Sequence, residues 1–419
     1  MTKRYVLESG SRKEGREESY LAPPPPKEGR VIGVDCHPDS FTAAVFKGQT
    51  PHEARKLGSL EKLSMEELLR WAVRELSARD IILMEAGANS FELCKRLGEE
   101  GLRACVLESC HVGRHAKTYA DNDRMAAARI ALVYLAGNAP CVWVPDEKSL
   151  QRRELLHAYR KAVRGHTATS NAIKGYLNTR GIRLGKRSLS KKSTQEWILG
   201  QRDWSALQKQ LLQEYFQEME ASQERRKRLS QLIAQEMAGD AAMMRCMKVL
   251  GVGMVSAFGL LAVIGEINRF QSPEKLVAYV GLNPGQRQSG SSKNKRLGVG
   301  KRGRGDLRAL LIQGAQAVLR TGRHTPLGQW GWKLFARKGC RNVAVAALAR
   351  KLLVQVWHVL RGNTPALLEP DKSLRLKLQK LAVTLGAPLR KQIGLGLSLR
   401  DCVHALLQRC MAAQQPLPS

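Results

Sequence analysis

Arg30–Gly48 reads RVIGVDCHPDSFTAAVFKG. Val31 to Val34 is a short apolar run, and Phe41 to Phe46 is a second run carrying Thr, Ala and Val, with polar residues and a proline between them. Two such runs separated by turn residues predict a β-hairpin, and its first strand leads directly into Asp35. Working outward, the spacing predicts a helix over 64–77, an apolar strand over 81–84 ending on Glu85, and a helix over 91–100. A strand over 104–107, a helix over 123–136 and a short strand CVWV over 141–144 follow. Strands alternating with helices indicate an α/β sheet, here bounded as 31–148.

Residues 1–30 are charged and end in Pro23 to Pro26, which predicts a flexible basic, proline-rich arm. From Ser149 the period changes to helical: QRRELLHAYRKAVRGHTATSNAIKGYLNTRG keeps apolar residues on one face and surrounds them with cations. A polar break over 186–193 precedes a second long helix, about 203–238, rich in Gln, Glu, Lys and Leu. Two long helices joined by a loop predict an antiparallel coiled-coil hairpin over 149–240. A helical domain with a Gly-rich basic loop is expected over 241–362, and an extension with two amphipathic helices over 363–419. The expected fold class is therefore α/β plus α.

A chain of 419 residues suggests two or three domains at roughly 150 residues each. Hydrophobic content of 43% and charged content of 25% exclude wholesale disorder. Against 37 acidic residues stand 69 Lys and Arg, a net charge of +32 that calls for a polyanionic partner. The longest uncharged stretch, Val249 to Gly265, is short and Gly-rich for a membrane span, so it reads as buried protein and no membrane partner is expected. The first residues carry no apolar signal core, and nine cysteines contain no C-x-x-C pair. A cytoplasmic chain with reduced thiols and no structural zinc is expected.

Four groups of residues could carry chemistry. Asp35 and Glu85 sit at the carboxyl ends of strands and Asp123 at the start of a helix. Acids collected there can converge on hard cations, and two cations about 4 Å apart suit displacement at phosphorus. Singly, each acid is better read as a turn residue or cap; together, in this order, they favour a metal site. Second, MKVLGVGMVSAFGLLAVIG carries a Gly251-Val252-Gly253 turn between helices, a helix-hairpin-helix pattern that can hold a phosphate or simply pack in a core.

Third, between Gly281 and Leu319 the cations Arg287, Lys293, Lys295, Arg296, Lys301, Arg302, Arg304 and Arg308 surround Ser289, Ser291 and Ser292. Such density suits a phosphate backbone, and a serine in that field could act as a nucleophile; a binding loop without chemistry is the bland alternative. Basic helix positions Arg152, Arg153, Lys161, Arg164 and Lys174 extend the nucleic-acid surface. Fourth, Trp330, Trp332 and Phe335 could stack bases, but core filling is the better reading. Nine histidines show no i, i+4 pair with a partner acid, which argues against a histidine metal site.

The combination of these blocks resembles a known family. VIGVDCHPDSFTAAVF, ILMEAGANSFELCKRL, NDRMAAARIALVYLAG and the glycine-rich run through QSG and KRLGVGKRGRGDLRALLIQGAQAVL resemble the DEDD transposases of insertion sequences, the bridge-RNA-guided recombinases. Gly-Leu-x-Pro, Gln-Ser-Gly, Lys-Arg-Gly and Leu-Arg in this order are the most specific part. The resemblance implies a RuvC-like RNase H fold binding Mg2+ through Asp35, Glu85 and Asp123, and a serine nucleophile, Ser289, that forms a phosphoserine link to DNA. It further implies a guide RNA, donor and target DNA, and a homodimer or homotetramer. The family's fourth acid lies three residues after the third, where this chain has Ala126. That departure predicts nucleic-acid binding with impaired metal-dependent chemistry. A RuvC-like nuclease using metal alone and a non-catalytic nucleic-acid-binding relative are the alternatives.

Overall fold

The computed structural model describes residues 22–87, 89–114, 122–137, 139–287, 295–300, 302–363, 371–396 and 398–412. They form two compact units, Met1–Asp146 and Glu147–Ser419.

The first unit is a five-stranded mixed sheet. Its strands are β1 (Arg30–Cys36), β2 (Phe41–Lys47), β3 (Arg55–Leu63), β4 (Ile81–Glu85) and β5 (Arg103–Leu107) in spatial order β3-β2-β1-β4-β5. β1, β2 and β3 run antiparallel in turn, while β4 joins β1 and β5 joins β4 in parallel. The helices are α1 (Met65–Glu75), α2 (Ser90–Glu99), α3 (Ser109–Gly113) and α4 (Asp123–Leu135).

Strand alternation divides the apolar residues between two faces. Ile32, Val34, Ile82 and Met84 pack with Leu68, Ala72, Leu93 and Leu97 of α1 and α2. Val31, Ile81 and Leu83 pack with Ala127, Ile130, Ala131 and Tyr134 of α4 on the other face. Helix α1 starts where Ser64 and Glu67 form a reciprocal capping box.

Two local expectations are corrected. The strand β3 was not expected, because RKLGSLEKL is an edge strand that is largely exposed and lacks an apolar run. The expected strand over 141–144 is only a bridge between Leu107 and Cys141, extended by a hydrogen bond from Val142 N to Val106 O at 2.7 Å.

The second unit begins with α5 (Glu147–Asn178), α6 (Lys192–Leu199) and α7 (Ala206–Ala238). Leu156 shares a core with Ile233 and Met237, whereas Ile173 and Leu177 meet Leu212 and Phe216, so α5 and α7 run antiparallel. The sequence break contains α6, whose Ile198 seals a small core at the hairpin tip together with Trp204.

The chain continues through α8 (Ala241–Cys246), α9 (Met254–Ile264), α10 (Pro273–Val280), β6 (Pro284–Arg287), β7 (Lys295–Val299), α11 (Gly305–Thr321), α12 (Pro326–Lys338) and α13 (Arg341–Leu360). It ends with α14 (Asp371–Gln392), broken at Gly386, and α15 (Leu399–Ala412). One continuous core takes in the base of the hairpin, the helices over 241–360, and Leu378, Leu381 and Leu406 of α14 and α15. The base of segment 149–240 and the helices of 363–419 share this core with 241–362, while the hairpin tip has its own.

Helix α9 is the apolar stretch read as buried, and its residues from Ala257 to Ile264 are buried throughout. Among the described residues, α13 alone is long and apolar enough to cross a membrane. It packs against α10, α11 and α12 as the central helix of this core.

Candidate active site and nucleic-acid surface

The carboxyl ends of β1 and β4 carry the first two acids. Val34 pairs with Met84 in the parallel register, so Asp35 and Glu85 are the next residues on adjacent strands. Asp123 reaches them because α4 lies directly on β1. At Gly33 a Cβ would stand 2.0 Å from Ala127 O, so only glycine permits this approach. Asn122 caps α4 by accepting from Met125 N at 2.9 Å, which fixes Asp123 in the first helical turn.

His37 stands between two of the acids. Its Nε2 lies 3.1 Å from Asp35 Oδ2 and 3.4 Å from Asp123 Oδ1. Donor atoms of Asp35, His37 and Asp123 all lie within 4.8 Å of one another; Glu85 is one strand over, outside this tightest set. This places a histidine beside two of the candidate acids, a juxtaposition that the sequence expectation did not include. The i, i+4 rule tests helices, whereas Asp35 and His37 are two apart at a strand end, where that spacing returns side chains to one side.

The turn carrying His37 is tied down from outside. Asn89 Nδ2 donates to the carbonyl oxygens of His37 and Pro38, each at 2.9 Å, and His37 N donates to Ser40 O at 2.9 Å. Burial raises the Asp35 carboxyl above its ordinary range; His37 opposes the shift and the charge of Asp123 adds to it. Burial also pushes the neighbouring Cys36 thiol up to about 12, which makes it a poor nucleophile at neutral pH. Two carboxylates and an imidazole in this arrangement suit a divalent cation. Ala126, one turn along from Asp123, contributes no donor.

In the second unit, the strands β6 and β7 pair antiparallel and bring Arg287 opposite Lys295. Ser289 and Lys293 lie between these strands, and Lys301 after them, all outside the described residues. The neck of the hairpin is closed by backbone contact: Gly281 has φ +77° and a Cβ there would stand 2.1 Å from Arg302 O. The Gly-Leu-x-Pro and Lys-Arg-Gly elements are thus two sides of one junction.

Several cations expected to meet nucleic acid are engaged within the chain. Arg304 pairs with Asp306 at 2.6 Å, and Arg308 Nη1 donates to Val280 O at 3.1 Å and to Arg302 O. Although burial opposes it, Arg304 holds the Asp306 carboxyl below its ordinary range. Arg152 pairs with Glu236 at 3.2 Å and Asp240 at 2.8 Å, tying the two hairpin helices together. Arg153 donates to Ala262 O and Val263 O, both at 3.0 Å, and so satisfies the carboxyl end of α9. Each of these four thus has a partner within the chain, which helix periodicity alone does not reveal.

Lys161, Arg164, Lys174 and Arg302 are exposed. Lys161 and Arg164, with His157 and Arg160, line one wall of a cleft of ≈ 560 Å³ opposite Arg304 and Asp306. In the helix-hairpin-helix segment, Gly251 has φ +77°, and a Cβ there would stand 2.8 Å from Gly314 O, so this turn packs against α11. Gly253 precedes α9 as its N-cap. Trp330, Trp332 and Phe335 pack on the core, and Trp332 Nε1 donates to Leu319 O at 2.8 Å, in keeping with core filling.

The hairpin tip, a polar break in the sequence, carries a basic pocket. Lys186, Arg187, Ser188, Lys191, Ser193 and Trp197 are among the residues enclosing ≈ 560 Å³ there, and the Arg187 guanidinium lies 4.0 Å from the Trp197 ring centre. A cationic pocket with an aromatic wall can hold a phosphate.

Residues 244–327, which contain the hairpin neck and α9 to α11, match the family model of the IS116/IS110/IS902 transposases. Over this segment the chain is similar to these transposases. A protein of Sinorhizobium fredii named as a transposase is 26% identical over 361 residues, covering 79% of this chain and 88% of its own length. The transposase for insertion sequence element IS1111A of Coxiella burnetii is 26% identical over 283 residues, 67% of this chain and 77% of its own. A pilin gene-inverting protein of Moraxella lacunata is 32% identical over 115 residues, 27% of this chain and 35% of its own. The likeness is thus to proteins named as transposases over most of the chain, and to a pilin gene-inverting protein over a shorter stretch.

Proposed function

We propose that this chain is an RNA-guided DNA recombinase that cuts and rejoins donor and target DNA through a phosphoserine intermediate at Ser289. The observation that carries the reading is the pairing of two features in one chain. Asp35, His37 and Asp123 converge at the carboxyl end of β1, with Glu85 at the end of the adjacent β4, and a separate segment, 244–327, matches transposases. The strand order β3-β2-β1-β4-β5 with α4 laid on β1 supports a RuvC-like reading of the first unit.

In this reading Ser289 Oγ forms a bond to a DNA phosphorus while the bond from that phosphorus to one bridging oxygen breaks. The hydroxyl proton leaves with the departing oxygen. Attack by a free hydroxyl of a second strand reverses these steps, restores the serine and joins the new strand. Asp35, Glu85 and Asp123 would hold Mg2+, which stabilises charge on the phosphoryl oxygens when bound. Asp306 and Arg304 keep the neck of the serine loop in shape, and Lys161, Arg164 and Arg302 neutralise phosphates. The coiled-coil hairpin joins two copies, and base pairing by a noncoding RNA selects the sites, so the protein reads charge and shape.

Ala126 favours a second reading, in which this chain binds nucleic acid but is impaired in metal-dependent chemistry. The experiment is strand exchange between donor and target DNA by the full chain with its copurified RNA. Recombination that disappears in Ser289→Ala and Asp35→Asn supports the proposal, and recombination retained in Ser289→Ala overturns it. Binding without exchange in the unaltered chain favours the second reading.

A further inference from the structure

Asp35 and Asp123 supply oxygen donors, Ala126 supplies none, and the remaining donor in the tightest cluster is the imidazole of His37. We propose that His37 is a protein ligand of the divalent cation held by Asp35 and Asp123, standing in for the acid absent at position 126 and shifting the site from Mg2+ toward Mn2+. The inference rests on the metal site of the proposed function.

The spacing of the donors supports it. Ligands about 2.1 Å from a small divalent ion stand about 3.0 Å apart as octahedral neighbours and about 3.4 Å apart in a tetrahedron. The His37 nitrogen is 3.1 Å from one carboxylate oxygen and 3.4 Å from the other. Both His37 separations match those of neighbouring ligands, and all three donor atoms lie within 4.8 Å of one another.

The position is also built. A metal-binding histidine needs its ring delivered to one place, and outer contacts that hold a ligand are worth about 10–100-fold in affinity. Asn89 crosses from the start of α2 to grip the two carbonyls of the His37–Pro38 turn, and Ser40 O accepts from His37 N. With its side chain 46% exposed, His37 loses little hydration when it binds.

The donor set then determines the metal. An all-oxygen site suits Mg2+, whereas an imidazole nitrogen strengthens binding to first-row transition ions and does little for Mg2+. Loss of His37 should therefore lower Mn2+ affinity far more than Mg2+ affinity.

The test is Mn2+ binding by the full chain, measured by calorimetry and by pulsed electron paramagnetic resonance of the bound ion, with Mg2+ measured as competitor. In the unaltered chain the bound Mn2+ should show coupling to an imidazole nitrogen. His37→Ala and His37→Gln should each remove that coupling and weaken Mn2+ at least about tenfold, with Mg2+ competition nearly unchanged. Two variants are used so that a folding defect in one, seen by circular dichroism, leaves the other to decide. Unchanged Mn2+ affinity and nitrogen coupling in a folded His37 variant overturn the inference. If Asp35→Asn abolishes Mn2+ binding in that case, the acid site stands without His37; if Asp35→Asn also leaves binding intact, the acid site itself falls.

Discussion

The backbone of Ala127 lies against Gly33 so closely that a Cβ on Gly33 would stand 2.0 Å from the Ala127 carbonyl oxygen. This contact seats α4 on β1 and carries Asp123, one turn earlier, to the end of the strand where Asp35 stands. Gly33→Ala should push α4 off the sheet at a cost of about 3 kcal/mol. Thermal unfolding of the variant should start lower, and its divalent-cation affinity should fall with it.

Asn89→Ala removes both bonds to the His37–Pro38 turn without touching an acid. Stability should drop by only about 1–2 kcal/mol, while Mn2+ affinity falls about tenfold or more. Calorimetric titration beside a melting curve separates the two effects, and a variant that loses stability but keeps affinity would deny Asn89 its positioning role.

Asp80 anchors the start of β1. Its carboxylate accepts from Arg30 N at 2.7 Å, Arg30 Nη2 at 3.0 Å and Ser77 N at 2.8 Å. Burial pushes the carboxyl up, but these donors outweigh it and hold it below the ordinary range. A depressed carboxyl stabilises the fold above its unfolded pKa of about 3.9, and that stability is lost as the pH falls through the folded value. Melting temperatures measured from pH 5 downward should show this acid limb, and Asp80→Asn should flatten it. Asp80→Ala should cost about 3 kcal/mol at neutral pH.

Arg152 and Lys161 lie on the same helix and should respond oppositely. Arg152→Ala breaks the pairs to Glu236 and Asp240, so it should destabilise the second unit by about 2–3 kcal/mol and leave the salt dependence of RNA or DNA binding unchanged. Lys161→Ala and Arg164→Ala should leave melting unaltered. Each should reduce the slope of log affinity against log salt by about one, read from binding titrations at several salt concentrations.

Much of the first unit is legible in the sequence because its central strands are buried on both faces and read as apolar runs, with acids at their carboxyl ends. The edge strand β3 is not, since half its residues face water and its pairing depends on β2. The acids Asp35, Glu85 and Asp123 are readable as candidates from their places after strands and before a helix. His37 is not, because its relevance depends on the turn that Asn89 holds from a distant segment. Net charge raises the expectation of a polyanionic partner, but it does not separate Lys161 from Arg152: one is exposed and the other is paired with Glu236 and Asp240. The aromatic pocket at the hairpin tip stays hidden for the same reason, since Arg187 and Trp197 meet only after α6 has folded back.

Covalent chemistry at Ser289 would leave a protein–DNA adduct that can be recovered. The full chain with its copurified RNA would be incubated with labelled donor DNA, denatured, digested and mapped by mass spectrometry. A nucleotide-bearing phosphoester is expected on the peptide containing Ser289, absent in Ser289→Ala and reduced in Asp35→Asn. Strand exchange that proceeds without any adduct, or an adduct that persists in Ser289→Ala, would contradict it.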